Sequence, residues 1–297
     1  MAVLTNKKIQ QELSISMFVF PSNFNGKEKD YESGFHYYGA RYYWSEVLTG
    51  WLSVDPMMDK YPGISPYAYC AWNPVKLVDP DGMEISTHTD YEGNVVEVYN
   101  DGDNGVYRHN GDKEFTENEL QNNYSPSNTS AGGEKMGETK YWDEFMTHNS
   151  KTGKEKEKGG RIHYGESWEK IIVSYNELST KLGLEATVVG SLNGGIFDIK
   201  VHSKIAPEGP LTGKMLDGYY TSAESAGNFL AGLNGATARG LFGNHISLKT
   251  YMKLAGALHS HHNGTSREGR YRGEIPYAGR NIEEGFSLGV KIRTGRL

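Results

Sequence analysis

Apolar positions in the C-terminal half of the chain recur with the spacing of amphipathic helices. Over residues 166–182 they fall three or four residues apart, which predicts a helix that ends before Gly183, a typical C-terminal cap. A second apolar stripe predicts another helix over residues 247–258. The sequence Thr-Ser-Ala-Glu that begins at Thr221 is a capping box, and it predicts a helix to about Leu233. That helix is rich in Ala and Gly, which indicates a closely packed neighbour.

Alternating apolar and polar residues predict strands between these helices. Residues 196–202 follow an Asn-Gly-Gly turn and alternate, so Asp198, Lys200 and His202 would share one face of a strand. Residues 92–108 predict a hairpin of two paired strands around an Asn-Asp-Gly turn. Because helices and strands mix without a regular strand–helix–strand rhythm, the predicted fold class is α+β.

Residues 30–82 follow a different pattern, in which Pro and Gly interrupt short runs of Tyr, Trp and Val. The chain reads D-Y-E-S-G-F-H-Y-Y-G-A-R-Y-Y, then T-G-W-L-S-V-D-P, then K-Y-P-G-I-S-P-Y-A-Y-C-A-W-N-P-V-K-L-V-D-P-D-G. Such runs predict short, half-buried strands, and the Asp-Pro and Asn-Pro pairs predict turns between them. We therefore expect a short β-rich segment followed by a separate α+β C-terminal domain.

These motifs resemble the end of the Rhs repeat-associated core, the last section of the YD-repeat shells of bacterial polymorphic toxins. The resemblance covers residues 25–83, and Pro74, Asp79, Pro80 and Gly82 match the closing signature P-x-x-x-x-D-P-x-G. In that family a variable toxin domain follows. The resemblance divides the chain into an unassigned segment 1–24, a core terminus 25–83, a polar connecting region 84–160 and a C-terminal effector domain 161–297.

The family resemblance also implies autoproteolysis. In the family, two Asp-Pro aspartates meet in the closed shell and cut the chain just after the second motif. Carried over, Asp55 and Asp79 would divide acid and base roles, and the cleaved bond would follow Met83, where the family commonly has Leu. The alternative is that both aspartates are turn residues only. Known shells contain many more repeats than this stretch, so cleavage without a full shell stays an open question.

The resemblance further implies partners and a route. It predicts delivery to a target cell by a specialised secretion system, contact with secretion-system or Rhs shell components, and neutralisation by a cognate immunity protein. The first residues carry Lys7 and Lys8 but lack an uninterrupted apolar run and a cleavage site, so they give no clear signal peptide. No run of about 18 apolar residues predicts a transmembrane segment.

Composition adds a charge asymmetry. The chain has a formal net charge of -6, while residues 161–297 hold 16 Lys and Arg against 12 Asp and Glu. A basic effector on an acidic carrier is compatible with a nucleic-acid substrate, although an excess of this size is common in other proteins. The single cysteine, Cys70, excludes an internal disulfide framework and a cysteine-based zinc site.

The densest cluster of candidate catalytic residues is L-H-S-H-H-N-G at residues 258–264, directly after the predicted third helix. His259, His261 and His262 could act as general acid and base, and the adjacent pair resembles that of HNH-type toxin nucleases. No histidine follows His262 to supply the second arm of such a site. The alternative is an exposed helix end, where protonated histidines complement the helix dipole. A metal-free mechanism and a His-bound divalent metal both stay open.

A second candidate combines the strand face with the Gly-rich helix. Phe197-Asp198-Ile199-Lys200 and the later G-N-F-L-A-G-L-N-G-A stretch at residues 227–236 faintly resemble a polymorphic-toxin C-terminal domain. Asp198 would transfer protons and Lys200 would bind phosphate. The alternatives are an ordinary solvent-facing strand and tight helix packing.

The third candidate is the segment R-E-G-R-Y-R-G-E-I-P-Y-A-G-R. Arg270, Arg272 and Arg280 could bind phosphate through their guanidinium groups, and Glu274 could act as a base beside the histidines. A solvated basic loop is the alternative.

The resemblance implies an interbacterial effector, and the histidine and arginine candidates make a nuclease, either an RNase or a DNase, the first hypothesis for its activity. A cell-wall hydrolase that uses Asp198, Asp217 or Glu274 is a second reading. A carrier or surface-binding fragment without enzymatic activity is the third.

Overall fold

The computed structural model describes residues 35–37, 42–44, 50–53, 65, 67–68, 85–101, 103–125, 128–141, 143–148, 155–263 and 274–296. Everything stated below about the structure concerns these residues. Within them the architecture mixes helices and sheets, and the predicted α+β class is confirmed.

A small antiparallel sheet lies in the segment that resembles the Rhs core. It consists of β1 (His36–Tyr37), β2 (Tyr42–Trp44) and β3 (Gly50–Trp51), in that order. The rings of Tyr43 and Trp51 are buried and meet edge to face with centroids 5.8 Å apart. Aromatic residues from paired strands thus hold the sheet together, as the aromatic pattern of this segment predicts.

A second, four-stranded sheet follows. Its strands are β4 (Ile85–Thr89), β5 (Val95–Asn100), β6 (Gly105–Arg108) and β7 (Glu134–Glu138), in the order β5-β4-β6-β7. Strand β4 pairs antiparallel with β5 and parallel with β6, so the predicted hairpin between β5 and β6 is wrong. Helix α1 (Lys113–Asn123) joins β6 to β7, and its N-cap is Asp112.

The sequence pattern did not predict strand β4, because most of the buried residues of this strand are polar. Ser86 and His88 are fully buried, and Ser86 Oγ lies 3.1 Å from Nε2 of His88. Nδ1 of His88 lies 3.0 Å from Nε2 of His109, whose Nδ1 contacts Glu119 Oε2 at 2.6 Å. A hydrogen-bonded chain of side chains therefore replaces the apolar contacts that usually reveal a central strand.

Two further strand groups come next. β8 (Met146–His148) and β9 (Glu155–Lys158) form an antiparallel pair. β10 (Arg161–Ser167), β11 (Thr212–Leu216) and β12 (Tyr219–Ser222) form a three-stranded sheet in that order, with β10 parallel to β11. Residues 121–139, which the sequence suggested to be a linker, include the end of α1 and strand β7.

The remaining elements are mainly helical. They are α2 (Glu169–Leu182), α3 (Leu184–Gly190), α4 (Ala223–Thr237), α5 (Leu248–Asn263), α6 (Pro276–Thr294) and two 3₁₀ turns at Ile199–Val201 and Gly209–Leu211. Gly183 ends α2 with φ 86°, as predicted. The N-cap of α4 is Ser222, one residue after the predicted start of its capping box, and its side chain accepts from Ser225 N–H.

The predicted strand over residues 196–202 is wrong, because this segment forms turns and a 3₁₀ helix. Phe197 and Ile199 are buried, but Val201 is 46% exposed, so the apolar alternation does not mark one buried face. Local turn bonding decides the conformation instead: the Asp198 carboxylate accepts from Gly194 N–H at 2.8 Å.

Close packing of α4 against α6 forms the centre of the C-terminal core. A Cβ atom at Gly232 would lie 2.0 Å from the backbone oxygen of Ile282, and one at Gly285 would lie 1.9 Å from that of Phe229. Absence of side chains at these positions lets the two helix backbones touch. The close neighbour expected from the Ala and Gly content of α4 is therefore α6.

Candidate functional site

A cavity of about 510 Å³ opens among α3, α4, α5 and the start of α6, and we call it the interhelical cavity. The polar side chains that line it include Lys200, Glu224, Asn228 and Glu274. The cavity thus brings together Lys200 and Glu274, which the sequence singled out in two separate segments.

Lys200 reaches the cavity from the first 3₁₀ turn. Its Nζ lies 2.9 Å from Oδ1 of Asp198, whose carboxyl is 5% exposed. The other oxygen of Asp198 accepts from Gly194 N–H, so the carboxylate is fixed in the turn that precedes Lys200. Asp198 does not line the cavity but contacts Lys200, which does, and the catalytic role predicted for Asp198 stays a prediction.

Glu274 lies just before α6 and lines the same cavity. Burial raises the pKa of Glu274 to about 8, although the positive charge of Lys200 opposes this shift. At neutral pH the carboxyl is therefore largely protonated, the state in which a carboxylic acid can donate a proton to a leaving group. The sequence proposed Glu274 as a base, whereas its surroundings favour the role of an acid.

Helix α4 supplies the other two polar residues. Glu224 lies in its first turn and Asn228 one turn later, so both side chains fall on the helix face that lines the cavity. The sequence drew attention to Asn228 through the Gly-Asn pair, but it gave no signal for Glu224 beyond a role in capping. Only the packing of α4 beside the Lys200 turn brings these groups together.

Helix α5 contributes mainly apolar side chains to the lining of the cavity. Tyr251, Leu254, Ala255 and Leu258 line it at helical spacing. The helix continues to Asn263, so His259, His261 and His262 lie within α5 rather than after its end as predicted.

Arg280 is not available as a phosphate ligand, which corrects the sequence prediction. Its side chain is 10% exposed, and its guanidinium is bonded to the carboxylate of Asp143 and stacked 4.0 Å from the ring centroid of Tyr141. Burial opposes its charge, but Asp143 more than compensates and raises the pKa of Arg280. Arg280 thus ties α6 to the segment before β8.

The other sequence candidates are distributed as follows. His202 bonds through Nε2 to Ile196 O at 3.2 Å and does not line the cavity. Asp217, named for the cell-wall hydrolase, lies with φ 51° in the turn between β11 and β12 and does not line the cavity. Asp55, Asp79, Met83, Arg270 and Arg272 lie outside the described residues.

Two further features of the described residues concern metal binding and membranes. No group of three or more His, Cys, Asp or Glu side chains there is arranged to hold a metal ion. Of the helices in that part of the chain, none combines the length and apolarity that crossing a bilayer requires.

Comparison with known proteins yields one partial similarity. A stretch of 61 residues is 44% identical to the toxin subunit YenC2 of Yersinia entomophaga. The match covers 20% of this chain and 6% of that protein, so the chain spans only a small fraction of its relative. No protein-family model and no solved structure matches. The similarity supports a toxin-like relationship for this chain.

Proposed function

We propose that this chain is the effector-bearing end of an Rhs-type toxin and that its C-terminal region is a hydrolase, with a nuclease as the first choice. One observation carries the proposal. A single cavity holds Glu274, whose pKa is raised to about 8, beside Lys200, Glu224 and Asn228. An acid that stays protonated at neutral pH, next to a fixed cation, suits cleavage of a phosphodiester.

In the proposed reaction Lys200 binds a non-bridging oxygen of the phosphate. Its ion pair with Asp198 at 2.9 Å fixes the ammonium before substrate arrives, which reduces the entropy lost on binding. The ammonium also stabilises the charge that grows on the phosphate oxygens during attack.

Glu274 is the proposed general acid, and it donates its proton to the departing oxygen of the scissile P–O bond. Glu224 is the proposed general base that removes a proton from the attacking water, which Asn228 orients through its amide. One proton thus leaves the water and one reaches the leaving group, so the balance closes without another reactant.

The histidine cluster joins this scheme on sequence grounds. His261 and His262 follow Leu258 in the chain, and we propose that they contact the substrate. They would extend the surface that binds the phosphates of the nucleic-acid strand. A divalent metal bound through these histidines stays part of the proposal to be tested.

The test is expression of the full chain in the cytoplasm of a bacterial host. We expect growth arrest by the parent and relief by Glu274→Gln, because the amide has the shape of the acid but donates no proton. Loss of a general acid typically lowers the rate by about 10²–10⁴-fold. Total RNA and DNA from arrested cells, separated on gels, then identify the substrate.

A matched control is Glu134→Gln, which changes a carboxyl with a 70% exposed side chain in the same way. It should leave toxicity unchanged. Normal growth with a soluble, folded parent and intact nucleic acid would exclude a cytoplasmic nuclease. The double variant His261→Ala/His262→Ala tests the histidines separately, since it should lose activity without loss of fold.

A cell-wall hydrolase is the second candidate, and the pairing of two carboxylates in one cavity favours it. Glycosidases use one protonated and one ionised carboxyl, and Glu274 and Glu224 could fill these roles. Expression with a periplasmic leader distinguishes the nuclease hypothesis from the cell-wall hydrolase hypothesis. Lysis from the periplasm together with soluble fragments released from purified cell walls would replace the nuclease with the wall hydrolase.

Processing, delivery and neutralisation belong to the same proposal. Cleavage after Met83 through Asp55 and Asp79 would release the effector, a specialised secretion system would deliver it, and an immunity protein would protect the producer. Mass spectrometry of the purified chain tests the first step, with Asp79→Asn as the variant that should stay intact. Co-expression of the neighbouring gene product tests neutralisation.

A further inference from the structure

An exposed apolar tip lies on the loop between α4 and α5, remote in sequence from the proposed catalytic residues. Leu241 and Phe242 are 84% and 95% exposed. Large apolar side chains that project this far from a soluble surface are uncommon and mark interaction sites when they form a patch. We call Leu241 and Phe242 the apolar tip.

Local hydrogen bonds hold the apolar tip in place. Gly243 N–H donates to Gly240 O at 2.8 Å, which closes a tight turn with Leu241 and Phe242 at its two central positions. The turn is also anchored to α3, because Leu241 N–H donates to Oε1 of Glu185 at 3.1 Å. The two side chains are therefore presented on a fixed turn.

The apolar surface continues onto the neighbouring helices. Val189, one turn after Glu185 on α3, is 65% exposed, and Leu182 at the end of α2 is 46% exposed. Leu184 N–H bonds to Arg239 O at 2.9 Å, so the junction of α2 and α3 lies against the base of the loop. Three elements thus contribute apolar side chains around the tip.

Cationic side chains surround this apolar surface. Nη1 of Arg239 donates to Gly243 O at 3.3 Å, and Nη1 of Arg293 donates to Ala236 O at 2.7 Å. After burial, these two guanidinium groups are the further causes that lower the pKa of His245 in the same loop. Lys181 adds an exposed cation beside Leu182. One acid of the patch, Glu185, is engaged with the backbone of the turn.

We propose that the apolar tip inserts into the interface of an anionic lipid bilayer, with Arg239, Arg293 and Lys181 contacting lipid phosphates. Apolar side chains at a protruding point with cations behind them match the layered chemistry of that interface. A protruding tip with cations at its base suits insertion into a lipid interface better than the broad contact of about 800 Å² on each side that a specific protein partner makes. The inference does not depend on the proposed hydrolase activity.

The experiment is flotation of the full chain with vesicles of phosphatidylglycerol and phosphatidylcholine, compared with phosphatidylcholine alone. We expect binding to the anionic vesicles that weakens as salt is added. The double variant Leu241→Ser/Phe242→Ser should reduce the partition coefficient at least about tenfold, since it removes the inserted groups. Phe115→Ser is the matched control, because Phe115 is also exposed, at 50%, but lies on α1.

A second measurement follows the tip itself. In a Phe242→Trp variant, tryptophan emission should shift to shorter wavelength with anionic vesicles and not with neutral ones. Equal binding by the parent and the tip variant, or no binding by a folded parent at low salt, would overturn the proposal. A change of sedimentation from dimer to monomer in the tip variant, without vesicle binding, would instead make the tip a contact between copies of the chain.

Discussion

Two buried histidines explain how a polar segment can serve as the central strand of the second sheet. His88 and His109 contact each other at 3.0 Å inside a shell of tyrosine rings. Burial, and next the charge of His109, lower the pKa of His88 to about 3. Between about pH 3 and pH 6.5, His88 is therefore mainly neutral in the folded protein, whereas it would bind a proton in the unfolded chain.

This difference predicts that the sheet is sensitive to acid. The folded pKa lies below the unfolded value of 6.5, so the stability is fully present above pH 6.5 and is lost as pH falls towards 3. At pH 5 the contribution of His88 corresponds to a loss of about 2 kcal/mol. Urea unfolding at pH 7.5 and pH 5.0 measures it, and His88→Gln should show a smaller difference between the two pH values than the parent.

The raised pKa of Glu274 predicts an upper pH limit on activity, whereas His88 sets a lower pH limit on stability. Because the proposed acid must carry its proton, the rate should fall as pH rises through about 8, the raised pKa of Glu274. Initial rates on the substrate found in the expression test, measured from pH 6 to pH 10, would show this limb. Glu274→Gln should be slow and should lack it; a retained limb would assign the acid to another group.

At the scale of elements, the contact between α4 and α6 leaves no room for a side chain at Gly232 or Gly285. Gly232→Ala should destabilise the protein by at least about 2 kcal/mol, because its Cβ would lie 2.0 Å from the Ile282 backbone oxygen. Gly227→Ala on the same helix is the control, since a Cβ there meets nothing within 4 Å. Alanine should stabilise that position by up to about 1 kcal/mol through helix propensity. Thermal unfolding of both variants checks the pair.

The same contact shows why helix α6 was missed in the sequence while α2, α4 and α5 were found. Those three helices carry recognisable apolar stripes or caps, but α6 contains Gly279, Gly285 and Gly289, which weaken any helical signal. Gly285 and Gly289 are accounted for only by the backbone and side chains of α4 that lie against them. The local sequence of α6 cannot show that these glycines serve its contact with α4, because that contact depends on residues distant in the chain.

For the candidate site, single residues were predictable but their grouping was not. Lys200 and Glu274 were identified by residue type, yet the conformation expected for Lys200 was a strand. The turn bonds of Asp198 and the packing of α4 decide where these side chains point. Arg280 shows the converse error, because arginine spacing suggested phosphate while Asp143 already occupies the guanidinium.

At the scale of the whole molecule, one buried cluster crosses the boundary expected near Arg161. Val106 from the second sheet and Phe145 from the following segment pack with Ile162 and Tyr220. Phe145 is 2% exposed, and its ring lies against β11 at Gly213. The two sides of the expected boundary therefore share apolar surface, while the boundary itself stays a prediction.

Because of this cluster, we expect a destabilising substitution before residue 161 to destabilise the strands after residue 161 as well. Phe145→Ala should cost about 3–5 kcal/mol, as for other buried aromatic residues. Hydrogen exchange should then quicken in β11 and β12 as well as in β6. Phe115→Ala, at a 50% exposed ring, is the control and should change little. Faster exchange confined to residues before 161 would show two independently stable parts.

The position of α6 in the chain order has a consequence for the cell that makes this protein. Residues 274–294 supply Glu274, one wall of the interhelical cavity and the buried contacts of Leu288 and Ile292 in the core. A ribosome reaches them after every other described element has been translated. A nascent or prematurely terminated chain thus lacks both the proposed acid and the helix that closes the core. Such a chain would lack the proposed hydrolase activity, which would appear only when translation of α6 is complete.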